Sequence, residues 1–339
     1  MSIQDVVRAL VEGADVPASD VAAALETMMT GEATPAQVGA FLAVLRARGE
    51  TPEIIAACLG VTERHAEYVP VEGAIDIVGT GGDGTDTFNV STAAAIVCAA
   101  AGVRVAKHGN RAASSKCGSA DVLEALGAKL EISGAEAARI IEECGFCFLF
   151  AQRFHPAFRH VGPARREIGV RTIFNVLGPL SNPARVRVMV VGVGSKALGP
   201  IVAETFRLRG MDRVMVVHSA DGMDEISPAG PTFAWLLEKG MVTEKELSPA
   251  DFGLALAPAS AVAGGDAATN AATMRAVLGG ESGPVSDFVV MNAAAGLYVA
   301  GRAADLRAGA EQARALLRSG AALTTLDRYV ALTREASGG

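Results

Sequence analysis

The sequence predicts an α/β protein: a small helical domain over residues 1–70, then a large α/β domain over 71–339 built on a mostly parallel central sheet. Three observations predict it. The first 65 or so residues space their apolar positions at three and four, with no strand pattern between them. From Ala74 onward, short and nearly continuous apolar runs alternate with helical stretches, the signature of a parallel sheet buried on both faces. The chain has 339 residues, half of them apolar, enough for a large domain with a smaller one attached.

In the helical region, "SIQDVVRALVEGADV", "ASDVAAALETMMTG", "TPAQVGAFLAVLRARG" and "TPEIIAACLGVTERHA" each open with Ser or Thr near an acidic or Gln residue, as helix starts do. Next comes "AIDIVGTGG", a strand running into glycine, and the helix "STAAAIVCAAAG". "VRVAKHGNR" reads as a second strand and loop, with the strand ending at Lys107, and "SADVLEALGAK" as a helix capped by Ser119. "RVRVMVVGVG", "SKALGPIVAETFRLRG" and "RVMVVHSADGMDE" continue the alternation. Residues 227–258 are poorly punctuated, and helices return from Asp266. In such sheets ligands gather at the carboxyl ends of the strands, where the Gly, Lys, Asp and Glu clusters fall.

Composition narrows the function. A net charge of −7 argues against a nucleic-acid binder, which shows a basic face. The N-terminus lacks a basic-then-apolar signal, and the most apolar run, "AAAIVCAAAGV", falls short of the about 20 residues a bilayer span needs. The expectation is a cytoplasmic protein with no membrane and no nucleic-acid partner. Five scattered Cys make no disulfide framework. Cys144 and Cys147 form a C-x-x-C that invites a redox or zinc reading, but no second half-site completes one; they are read as buried small residues where a helix passes into a strand.

The chemistry lies in three segments. Gly79, Gly81 and Gly84 satisfy G-x-G-x-x-G, yet the next helix begins near Ser91 and Lys107 stands where a ribose-binding acid is expected, so a nicotinamide site does not fit. Asp83 and Asp86 put negative charge in a turn of the kind that holds phosphate. The loop "KHGNRAASSKCGSA" places Lys107, Arg111 and Lys116 among hydroxyls and glycines ahead of a helix, which suits a phosphate or diphosphate. Asp224 and Glu225 are adjacent carboxylates in a turn after an apolar strand; taken alone they fit a solvated acidic turn as well as a cation site. Together the segments suit a magnesium–diphosphate ligand, which brings both signs of charge.

With these residues in view, "GTGGD" at 79–83, "NVST" at 89–92, "KHGNRAASSKCGSADVLEALG" at 107–127, "RREIGVRTIFNVLGPLSNPA" at 165–184 and "DGMDEIS" at 221–227 resemble the anthranilate phosphoribosyltransferase family, as do "NAAAGLYVAG" and "LRSGAA" near the C-terminus. Cys117, where a small hydroxyl residue is frequent, and Arg153–Phe154 before His155 are minor variations. The resemblance implies a fold shared with pyrimidine nucleoside phosphorylases, and a homodimer formed through the helical domain with help from helices near 165–185. It implies transfer of the phosphoribosyl group of 5-phosphoribosyl 1-diphosphate to the amine of anthranilate, in tryptophan biosynthesis. The sugar diphosphate would touch Gly79, Gly82, Asp83, Thr87, Asn89, Val90, Ser91, Thr92, Lys107, His108, Gly109, Asn110, Arg111, Ala112, Ala113, Ser114, Ser115 and Ser119. Anthranilate would meet Gly79, Asn110 and Arg165, and Mg²⁺, two ions per subunit, would be held by Ser91, Asp224 and Glu225. Catalytic work would fall to Lys107, Asp83 and Arg165, with His108 shaping the pocket rather than shuttling protons. Two rivals differ in class. A pyrimidine nucleoside phosphorylase needs no metal pair, so Asp224, Glu225 and Arg165 argue against it. A non-catalytic nucleic-acid-binding paralogue would have eroded metal ligands and a basic surface, and would be retained on heparin.

Overall fold

The computed structural model describes residues 1–112 and 115–336; the expected ligand contacts Ala113 and Ser114 lie outside the described residues. The helical region consists of α1 (Ile3–Val11), α2 (Ala18–Met29), α3 (Pro35–Arg48) and α4 (Pro52–Arg64). Ser2, Thr34 and Thr51 cap α1, α3 and α4 through their side-chain oxygens, each accepting from a backbone N–H of the first turn. The exception is α2, which starts from Pro17 with no side-chain cap, not from the Ser that the pattern suggested. The proline's fixed backbone dihedral starts the helix there without a side-chain acceptor.

The α/β part follows in chain order as β1 (Ile75–Gly79), α5 (Val90–Ala100), β2 (Val105–Gly109), α6 (Ser119–Ala125), α7 (Gly134–Cys144), β3 (Phe146–Phe150), α8 (Ala151–Phe154), α9 (Gly162–Ile168), α10 (Phe174–Leu180), β4 (Val188–Gly192), α11 (Leu198–Leu208) and β5 (Arg213–Ser219). Then come β6 (Thr232–Glu238), β7 (Met241–Leu247), α12 (Ala267–Leu278), α13 (Pro284–Val299), α14 (Leu306–Arg318) and α15 (Ala321–Ala336). The strands form one sheet in the order β3-β2-β1-β4-β5-β6-β7. The pairs from β3 to β5 are parallel, and β5-β6 and β6-β7 are antiparallel.

This is the predicted fold class, with a hairpin unforeseen and two boundaries moved. The unforeseen element is the β6–β7 hairpin within the poorly punctuated 227–258. Its two-residue turn, Lys239 and Gly240, takes positive φ at both positions (52° and 75°), the geometry that matches strand twist. On its outer strand, Glu244, Lys245 and Glu246 blunt an edge that would otherwise pair with other chains. The second strand runs on through Lys107 to Gly109, so Lys107 sits mid-strand. Ser119 lies inside α6 rather than capping it. The capping work falls to Asp121, whose carboxylate accepts from Gly118 N (2.9 Å) and Ala112 N (3.0 Å).

Helix α5 is buried along nearly its whole length, which its run of Ala, Val and Ile permits. It packs on β1, β2 and β3 and against α13 and α15. On the β5–β7 side the sheet meets α11, which also contacts α4, and α3 packs on α9. The helical region therefore abuts the segment carrying Arg165. Cys144 and Cys147 fall where α7 passes into β3, as free thiols.

Candidate active site

The carboxyl ends of β1, β2, β4 and β5 converge, and at this point the sheet is held by side chains. The β1–β2 pair has its register at Ile75 and Val105. Beyond it, Asp76 of β1 accepts from His108 N (3.2 Å) and from Asn182 Nδ2 (2.7 Å), which also donates to Ala106 O (2.7 Å). Burial lifts the Asp76 carboxyl to about 6, against the pull of Lys107 and these hydrogen bonds. Lys107, fully buried, reaches across the gap and donates to Ile77 O (2.6 Å) and to Ser91 Oγ (3.2 Å). Burial lowers its pKa, while Asp76, Glu225 and Asp224 oppose that shift.

Above the lysine lies the glycine turn. Gly81 and Gly82 take left-handed φ (67° and 71°), which lets the chain reverse tightly after β1. Gly81 N donates to Asp224 Oδ2 (2.6 Å). Asp83 accepts from Thr85 N (3.1 Å) and from the Thr85 hydroxyl, and lies 3.5 Å from Asp224 N. Asp86 ties this turn to the second loop through Lys116, by Lys116 N (3.2 Å) and an ion pair at 3.5 Å.

Asp224 is nearly buried; burial, then the Asp83 charge, raises its carboxyl to about 6. Glu225 is pushed well above the usual range, first by burial and then by Asp224, while Lys107 and the Ser91 hydroxyl pull the other way. Lys107, Ser91, Glu225, Asp224, Gly81 and Asp83 thus form one contiguous group of mixed charge. Among the described residues no cage of three or more His, Cys, Asp or Glu ligands is preformed.

Around this group, Thr92 is buried at the start of α5 with its hydroxyl unpartnered among the described residues. Asn89 donates to Cys117 O (3.0 Å) and accepts from Asn270 Nδ2 (2.9 Å). Thr87 bridges to Ala263, and the Val90 side chain is core. Gly109 ends β2 and Asn110 follows it; Asn110 Oδ1 accepts from Arg111 N (2.8 Å) and Gln152 Nε2 (3.3 Å). Ser115 is exposed and Ala112 half-buried. The Arg111 guanidinium is engaged by Asp121 and Glu124 and stacked over Phe150, so its charge is already matched.

Arg165, on α9, sits apart from the mixed-charge group but is linked to it by rings. Its guanidinium lies 5.1 Å over Phe174; Phe174 meets Phe158 edge-on (5.3 Å), Phe158 stacks on His155 (4.8 Å), and His155 meets His108 (5.0 Å). His108 immediately follows Lys107. Burial drives both imidazoles toward neutrality, His155 to about 4 and His108 well below its ordinary value, and their ring nitrogens are unpartnered among the described residues. Sequence reasoning assigned no role to His155, Phe158, Phe174, Asn182, Asn270 or Arg171. The segment 165–184 was legible only as a motif of the resemblance, because its residues lie on short helices and connections with no periodic signal.

The chain matches two family models, "Glycosyl transferase family, helical bundle domain" over residues 4–66 and "Glycosyl transferase family, a/b domain" over residues 71–323. It is 48% identical over 343 residues to an anthranilate phosphoribosyltransferase of Roseiflexus sp., with all of both chains covered. To that of Rhodospirillum rubrum it is 50% identical, covering 97% of this chain and 95% of the other. Among solved structures, the enzyme of Thermus thermophilus superposes with a TM-score of 0.91 at 44% identity, covering 97% of this chain and 99% of that one. The Saccharomyces cerevisiae enzyme in complex with PRPP and Mg superposes with a TM-score of 0.91 at 30% identity, covering 98% of each. The same yeast enzyme is also known in complex with 4-fluoroanthranilate. By sequence and by fold, the chain belongs to the anthranilate phosphoribosyltransferase family of glycosyltransferases.

Proposed function

We propose that the chain transfers the phosphoribosyl group of 5-phosphoribosyl 1-diphosphate (PRPP) to the amine of anthranilate, releasing diphosphate, as a step of tryptophan biosynthesis. The observation that carries this reading is the juxtaposition of a mixed-charge group at the strand ends with a ladder of neutral rings leading to a half-buried arginine. The first half suits a sugar diphosphate that arrives with metal, the second a flat aromatic carboxylate.

The residues divide the work accordingly. The N-terminal end of α5, with Ser91 and Thr92, and the backbone of the glycine turn offer donors to the diphosphate. Lys107 supplies positive potential from beneath. Asp224, Glu225 and Ser91 fit magnesium: Asp83 raises the pKa of Asp224 and Asp224 that of Glu225, and crowded carboxylates beside a hydroxyl are a donor set a hard divalent cation relieves, completed by phosphate oxygens. Bound there, Mg²⁺ would neutralise charge on the departing diphosphate.

Arg165 is placed to grip the anthranilate carboxylate, and the planar guanidinium suits a two-point contact. The acceptor ring then lies along the ladder of Phe174, Phe158 and His155. The amine lone pair forms the bond to C1 of the sugar as the C1–O bond to diphosphate breaks with its electron pair. The nitrogen then sheds a proton to diphosphate or water. Anthranilate's amine is uncharged at neutral pH, so no strong base is required, and the neutral His108 and His155 fit positioning roles.

The test is anthranilate fluorescence on mixing with the protein, PRPP and Mg²⁺, each omitted in turn. The expected outcome is loss of signal only with all components present. A steady signal from folded protein would overturn the reading, and phosphate-dependent cleavage of a nucleoside would replace it.

A further inference from the structure

The connection between α9 and α10 carries a residue that reaches the glycine turn. Gly169 ends α9 in the left-handed conformation (φ 64°), and Thr172 N donates to Asn175 Oδ1 (2.9 Å) at the start of α10. Between these two fixed points stands Arg171, half-buried. Its Nη1 donates to Gly82 O (2.8 Å) and its Nη2 to Gly81 O (3.3 Å). Among the described residues no other hydrogen bond reaches either carbonyl. A Cβ on Gly82 would overlap the guanidinium, so the contact requires glycine there.

The turn is thus held from both sides. Asp224 takes the amide of Gly81, and Arg171 takes the carbonyls of Gly81 and Gly82. The planar fork of arginine matches two successive carbonyls, which a lysine ammonium on its flexible stem matches less well. The strap from Arg165 to Phe174 therefore bears on both halves of the site: Arg165 over Phe174 at one end, Arg171 on the glycine turn at the other.

We propose that Arg171 is a positioning residue that fastens the glycine turn to the strap carrying Arg165, so that the donor and acceptor halves of the site are set relative to each other by one side chain. The proposal rests on the transfer reading above for its kinetic consequence, but its structural part stands apart from it.

The experiment uses the full chain as Arg171→Ala and Arg171→Lys, with two readouts. The first is hydrogen–deuterium exchange of peptides covering residues 79–88. We expect exchange roughly tenfold faster in Arg171→Ala, where the turn loses its charged donor, and an intermediate rate in Arg171→Lys. The second is steady-state kinetics. We expect KM for PRPP to rise about tenfold in Arg171→Ala, with part of that recovered in Arg171→Lys, and KM for anthranilate at saturating PRPP to change less than about twofold. Unchanged exchange with a raised KM would overturn the proposal, because Arg171 would then act by touching the ligand. Faster exchange with unchanged kinetics would overturn its link to donor binding. If Arg171→Ala melts early, Arg171→Lys, which keeps the charge, decides by the same two criteria. If the wild-type protein consumes no anthranilate, the transfer reading fails, and exchange alone still decides whether Arg171 holds the turn.

Discussion

His155 is buried with both ring nitrogens unpartnered among the described residues, and burial lowers its pKa from 6.5 to about 4. The folded state therefore needs it neutral. Between pH 6.5 and 4 the unfolded chain binds a proton that the folded chain refuses. Stability owed to this group is present above pH 6.5 and is lost as pH falls toward 4, by roughly 3 kcal/mol. His155→Phe, which keeps a ring to stack on Phe158, should flatten that loss. Denaturant titrations of both proteins at intervals across this range check it; parallel stability curves would contradict it. At this scale, legibility followed local chemical contrast. Asp83, Asp224 and Glu225 stood out because each is acid in a turn that follows an apolar strand. His155 and Arg171 sit in irregular connections, and their roles come from partners distant in sequence, Phe174 by way of Phe158 and the carbonyls of Gly81 and Gly82.

Among elements, the ends of β1 and β4 matter most. Gly79 and Gly192 end these strands side by side in register, and the turn carrying Asp224 lies directly on them. A Cβ at Gly192 would overlap the Asp224 backbone carbonyl, which cannot rotate away as a side chain can. Gly192→Ala should therefore displace the 221–226 turn and lower transferase activity by roughly a hundredfold, the scale of an ångström-level misplacement. Activity together with a melting curve checks this. Wild-type kinetics in a folded variant would mean the turn is not fixed by that contact. The strand ends were readable from sequence because apolar runs stop at glycine. The β6–β7 hairpin was not, because Pro228 and Pro231 precede β6, and β7 is too charged to read as a strand without its partner. Its signal was the two-residue turn at Lys239 and Gly240, which shows only once both flanking segments are read as strands.

For the whole molecule, the helical region and the sheet meet through α4 against α11 and α3 against α9. The strap that bears Arg165 is thus bounded by the helical region on one side and the glycine turn on the other. Among the described residues no helix is long and apolar enough to cross a membrane. The architecture was legible because it depends on periodicity summed over many residues, which tolerates local error. The proposed pairing of donor and acceptor halves rests on the family resemblance, since it needs side chains from β2, α5, α9 and the turns after β1 and β5. The central claim is that one site joins a diphosphate donor to a carboxylate-bearing aromatic amine. The most direct measurement is acceptor choice in the presence of PRPP and Mg²⁺, comparing anthranilate with aniline in wild-type protein and in Arg165→Ala. The account predicts that wild type prefers anthranilate by at least about a hundredfold in kcat/KM and that Arg165→Ala erases most of that preference. Equal use of both amines by wild type, or a preference that survives in Arg165→Ala, would contradict it.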